Sequence, residues 1–200
     1  MKVSNKPTAY SKITDIYTLN DVLNYLKSLK TTDDVAVWLD WDENIVNSDT
    51  DHILEPQITK RLFQYMLNNR ICFSIITGRF WDSVCQDNKR DLVEMKNNVV
   101  TTIFPVLKRL GIDVNRYLSD VYLQPHKITD EYGDCIGVMF MGIFFTGSKG
   151  ATMKHYIRMT GLQKTINIFV DDYEPYLIET TKSMPDIVAF RRHLPSDKSR

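Results

Sequence analysis

Four short apolar runs in this 200-residue chain each break off at residues able to do chemistry. Val35 to Leu39 runs into Asp40, Trp41 and Asp42, and Ile71 to Ile76 runs into Thr77, Gly78 and Arg79. Met141 to Phe145 leads to Thr146, Gly147, Ser148 and Lys149, and Ile166 to Val170 leads to Asp171 and Asp172. Acidic residues, a hydroxyl beside a glycine, and a lysine suit phosphoryl transfer if they are brought together. A phosphate monoester dianion repels a carboxylate nucleophile, so positive charge must neutralise both. Carboxylates from two separate strands can hold a magnesium ion, which prefers oxygen ligands and keeps some of its water. Lysine supplies a second positive charge, and a hydroxyl with backbone amides can bind the transferring oxygens. Asp40 and Asp42 point the same way if the strand pattern persists, so one can attack while the other handles protons.

The elements that must position these residues read as an α/β fold. Continuous apolar runs suit strands covered on both faces. Their alternation with helical patterns marks a parallel sheet layered with helices. A first helix is expected to open at Thr18, where Thr18 and Asp21 resemble a capping box, and to bury Leu19, Val22, Leu23, Leu26 and Leu29. A second runs from about Pro56 to Asn69, with Pro56 in its first turn and Ile58, Leu62, Phe63 and Met66 inward. Two more fill residues 80 to 111, and another runs from Gly150 to Thr160 with Gly161 as its cap. A fifth strand is expected over Asp186 to Phe190. One domain then covers residues 1–194, and Pro195 to Arg200 forms a polar tail. Ligands of an open parallel sheet bind beyond the carboxyl ends of its strands, and right-handed crossovers put all four ends on one edge.

Composition narrows the classes. Lys plus Arg equals Asp plus Glu at 25 each, so no surplus of positive charge favours general nucleic-acid binding. The segment Met1 to Pro7 has no apolar run of the secretory kind, and Ile136 to Phe145, the longest apolar stretch, is too short to span a bilayer. Cysteines 72, 85 and 135 are odd in number and irregularly spaced, which suits a reducing compartment. Each is expected to be a small buried hydrophobe without a disulfide partner, and cytoplasm is the default location. His52, His126, His155 and His193 fall at no motif position.

In order, Asp40-x-Asp42, Thr77-Gly78-Arg79, Lys149 and Asp171-Asp172 resemble the four motifs of the haloacid dehalogenase (HAD) phosphatases, over roughly residues 35 to 180. Gly142 to Gly150 followed by Phe169 to Asp172 is similar to an uncharacterised bacterial branch of that superfamily. The resemblance implies a three-layer Rossmann-like sheet and a magnesium-dependent phosphomonoester hydrolase. Asp40 would be the nucleophile and a metal ligand, and Asp42 the general acid and then base, giving the metal its backbone carbonyl. Thr77 and the Gly78 amide would bind phosphoryl oxygens, and Lys149 would steady nucleophile and phosphate. Asp171 would ligate magnesium, and Asp172 would do so directly or through water. Arg79 is a candidate substrate contact or a surface residue. The family usually carries Gly and then Thr or Val after the second aspartate, where Glu43 and Asn44 stand here.

Many HAD enzymes carry a cap domain after the first or second motif. Only 35 positions separate Asp42 from Thr77, and the 72 from Thr77 to Lys149 read as sheet cover with a short hairpin near Ile136 to Phe140. The implied site is thus open to large partners, with phosphorylated protein side chains, phosphotyrosine first, as substrates. Trp41, Phe80 and Trp81 are candidate aryl contacts or core. The alternatives are a small-metabolite phosphatase and a HAD-shaped binding or scaffold protein without catalysis, whose sign would be a missing nucleophile or ligand. Two other chemistries fail on spacing. A cysteine-dependent tyrosine phosphatase needs five residues between Cys and Arg, whereas Cys85 to Arg90 has four and Cys72 to Arg79 six. A receiver domain carries its adjacent acids at the first strand, and here they come last.

Overall fold

Strand β2 (Val35–Asp40) is buried along its whole length and lies inside an eight-stranded, mostly parallel sheet. The structure, a computed structural model, describes residues 13–86, 88–114, 124–161, 164 and 166–194. The expectations for Met1 to Pro7 and for the tail beyond residue 194 lie outside them. With β1 (Ile13–Ile16), β3 (Cys72–Thr77), β4 (His126–Thr129), β5 (Cys135–Phe140), β6 (Ile143–Phe145), β7 (Ile166–Asp171) and β8 (Val188–Arg192), the order is β1-β8-β7-β2-β3-β6-β5-β4. The strands from β1 to β6 in this order run parallel, and β5 turns back against β6. All four motif-bearing strands are therefore contiguous and point the same way. Register does the rest: Asp40 pairs with Ile76 and Leu39 with Val170, which brings Asp40, Thr77 and Asp171 to one edge.

Side chains alternate across each strand, so helices cover both faces. Val35, Val37 and Leu39 join a core with α1 (Leu19–Ser28), α2 (Pro56–Asn68) and the helical stretch α4 (Lys89–Asn98), a π turn (Val99–Ile103) and α5 (Phe104–Arg109). Trp38 faces the other way, into a core with Met153 of α6 (Lys149–Thr160) and Leu177 of α7 (Glu174–Ser183). The short α3 (Trp81–Cys85) follows the loop after β3. At the start of α1, the Thr18 hydroxyl accepts from the Asn20 amide, while Asp21 accepts from the Tyr17 amide and not from Thr18 itself.

Several boundaries depart from the sequence expectation. The apolar run from 136 to 145 is two strands joined by Met141 and Gly142, both at positive φ (51° and 79°). Gly142 tolerates that conformation without steric cost, so a tight hairpin turn forms where a strand beginning at Met141 was expected. The last strand begins at Val188, two residues after the expected Asp186, and runs on to Arg192. Most pointedly, Cys85 and Cys135 form a disulfide with Cα atoms 5.5 Å apart, leaving Cys72 free. The expectation of unpaired thiols is overturned, and the compartment inference loses that support; spacing along the chain carried no sign that α3 docks against β5. No helix among the described residues is long and apolar enough to cross a membrane.

Candidate active site

Asp40 ends β2, Thr77 ends β3 and Asp171 ends β7, while Lys149 opens α6. The placement of Lys149 depends on close packing of α6 against α7. A Cβ on Gly150 would stand 2.6 Å from the Thr180 Cα, so only glycine fits there. Glu179 of α7 accepts from the Gly150 and Ala151 amides at 2.8 and 3.1 Å, satisfying donors that the helix start leaves open. Lys149, 1% exposed, donates to the Asp40 carboxylate and, at 2.7 Å, to Asp171 Oδ2. Its ammonium lies 4.5 Å from the centre of the Tyr176 ring.

Asp40, Asp171 and Asp172 offer oxygens that all lie within 4.8 Å of one another. Burial pushes the Asp40 carboxyl up to about 7 against the pull of Lys149, with Asp171 reinforcing burial. Burial and then the Asp40 charge push Asp172 up to about 6, and burial raises Asp171 as well. Burial favours loss of the Lys149 proton, but Asp40 and Asp171 outweigh it and hold the group as ammonium. Three carboxylates against one ammonium leave two uncompensated negative charges in a buried place. A divalent cation that prefers hard oxygen donors fits both the charge and the donor set.

Asp42 stands apart from this triad. Its carboxylate accepts from Arg79 Nε at 2.9 and 3.0 Å and from the Thr77 hydroxyl at 3.3 Å. Arg79 also holds Asp51 at 3.0 Å, so it is a clamp between two loops and not a free surface charge. The backbone carbonyl of Asp42 faces the Asn44 amide at 3.2 Å. Thr77 is fully buried and commits its hydroxyl to Asp42 and the Arg79 amide. Gly78 and Arg79, by contrast, line the cleft of about 220 Å³ above Asp40, Lys149 and Asp172.

The three aromatic candidates go elsewhere. Trp41 is wholly buried in the core, Phe80 leans on Phe145 at 6.4 Å, and the Trp81 ring lies where a Gly147 Cβ would be, 2.3 Å away. The aromatic side of the cleft is instead made by Tyr173 and Tyr176, whose rings meet edge to face at 5.1 Å. Sequence reasoning also missed the support behind the acids. Asn44 donates to Asp40 and Asp172 at 3.1 and 3.0 Å, and its backbone carbonyl accepts from buried Arg192. Arg192 is held in turn by Glu55 at 2.8 Å, and Glu55 accepts from Thr18 at the start of α1. The unusual Glu43-Asn44 pair was the one available signal.

Comparison of the chain with protein-family models, with curated proteins and with solved structures finds no match.

Proposed function

We propose that this chain is a HAD-type, magnesium-dependent phosphomonoester hydrolase with Asp40 as nucleophile. The observation that carries the reading is the Asp40 carboxylate at the carboxyl end of β2, oriented by Lys149 and Asn44 beside an acidic set two charges short of balance. Asp40, Asp171 and Asp172 would hold magnesium, with the Asp42 carbonyl also facing that place. A bound cation would supply charge neutralisation to the phosphoryl oxygens and the carboxylate. An Asp40 oxygen attacks phosphorus and the ester oxygen leaves as an alcohol, giving an aspartyl phosphate; water then cleaves it and restores the carboxylate. Lys149 steadies Asp40 and the equatorial oxygens, and the Gly78 amide at the cleft wall binds them. Asp42 gives its proton to the leaving oxygen and later takes one from water. A substrate phosphate draws Arg79 toward itself and so releases Asp42 for that role.

An aryl phosphate, phosphotyrosine above all, suits a mouth formed by Tyr173, 54% exposed, and Tyr176. The described residues between β3 and β6 pack on the sheet or extend it, which leaves room for a phosphoprotein. The test is a phosphatase assay over phosphotyrosine peptides, sugar phosphates and nucleotides, with magnesium and with chelator. Activity is expected only with magnesium, and folded Asp40→Asn is expected to lose about a thousandfold or more in kcat. Full activity after chelation, or near-normal turnover in Asp40→Asn, would sink the assignment. A hundredfold preference for a metabolite would sink the phosphotyrosine part alone.

A further inference from the structure

Asn44 is fully buried, and its side-chain nitrogen has three oxygens around it. Asp172 Oδ1 lies at 3.0 Å, Asp40 Oδ2 at 3.1 Å and the Asp42 carbonyl at 3.2 Å. An amide nitrogen has two hydrogens, so three acceptors are one more than it serves well. The spacing matches something else. Ligands at neighbouring corners of a magnesium octahedron, each about 2.1 Å from the ion, stand about 3 Å from one another. The nitrogen is thus spaced from these oxygens as one ligand is spaced from its neighbours. An amide nitrogen does not bind a hard cation, but an amide oxygen does. Half a turn of the carboxamide exchanges the two atoms. The turn breaks no bond of the oxygen, because among the described residues the buried Asn44 Oδ1 has no hydrogen-bond partner. The backbone stays anchored meanwhile by Arg192, itself 2% exposed and paired with Glu55.

We propose that Asn44 is a further ligand of the cation, turning its side-chain carbonyl onto an ion held by Asp40, Asp171 and Asp172. This rests on the cation reading of that triad given above. Without the ion, the NH2 group presents its positive hydrogens to carboxylates that would otherwise repel one another. With the ion, those carboxylates turn their charge to it, and the carbonyl becomes the useful end of the amide. A neutral oxygen ligand adds affinity without adding to the negative charge of the site.

Magnesium binding to the full chain, without substrate, is measured by calorimetry for wild type, Asn44→Leu and Asn44→Asp. Leucine keeps the size and removes the oxygen, and it is expected to weaken binding at least tenfold. Aspartate presents an oxygen in either orientation, and it is expected to bind as tightly as wild type or more so. Equal binding by wild type and Asn44→Leu overturns the proposal and leaves the phosphatase reading intact. Weak binding by both variants overturns it too, since the site then needs the NH2 donor. A wild type that binds no magnesium removes the phosphatase reading as well. The wild-type Asn44 side-chain amide signals, followed by 15N nuclear magnetic resonance, need no substitution. They are expected to move upfield as magnesium saturates the site, and an unmoved pair overturns the proposal.

Discussion

At Asp172, burial and the neighbouring Asp40 charge act together. Its carboxyl, pushed up to about 6 by burial and by Asp40, is nearly unperturbed in the unfolded chain. The folded state therefore binds the proton more tightly, and the stability this gives is full below about pH 4 and lost as pH rises through about 6. In chelator, Asp172→Asn is expected to be more stable than wild type at pH 8 by about 1 kcal/mol, after allowance for its partial exposure, and no more stable at pH 4. Thermal unfolding at the two pH values checks this; a gain independent of pH would show that charge is not the cause. Asp42 invites a kinetic test. Aryl leaving groups need little protonation, so Asp42→Asn is expected to slow alkyl phosphates at least tenfold more than aryl ones. Equal losses would remove Asp42 as the general acid.

Elements were legible where local chemistry decides them. Asp40, Thr77 and Asp171 each close a mostly apolar run, and a strand whose last residues are buried ends where polarity begins. Gly161, at φ 67°, ends α6 as its residue type requires. What was hidden depends on distant partners. Strand β1, four residues with two exposed, gains its place from pairing with β8 at the edge and from burying Ile16. Asn44, Arg192 and Glu55 are unremarkable as residue types until the fold stacks them behind Asp40. Tyr176 reaches the cleft only through its place in the first turn of α7. The α6–α7 contact carries its own test. Because the nearest atom a Gly150 Cβ would meet is backbone, Gly150→Ala is expected to cost about 2 kcal/mol, lowering Tm by roughly 5 °C. It is also expected to displace Lys149 and reduce kcat at least tenfold. Unchanged melting and turnover would mean that the helices separate freely.

For the molecule as a whole, the Cys85–Cys135 bond ties the helix after the Thr77 loop to the edge hairpin, across 50 residues of sequence. Closing such a loop stabilises by about 2–4 kcal/mol in the chain-entropy account. Reductant is therefore expected to lower Tm by about 5–10 °C in wild type and to leave a Cys85→Ser/Cys135→Ser protein unmoved. A wild type indifferent to reductant would show that the bond adds nothing to stability.

The pairing of Lys149 with Asp40 spans 109 residues, and the strand that flanks β2 opposite β3 arrives later still. A ribosome delivers these parts in that order, N-terminus first. While the chain is being made, Asp40 exists without Lys149, without Asp171 and Asp172, and without the arginine behind Asn44. The non-local pairings β2–β7 and β7–β8 come last and are slow to close. On the proposed reading, a nascent chain that has not yet delivered β7 and β8 can neither hold the ion firmly nor take a phosphoryl group.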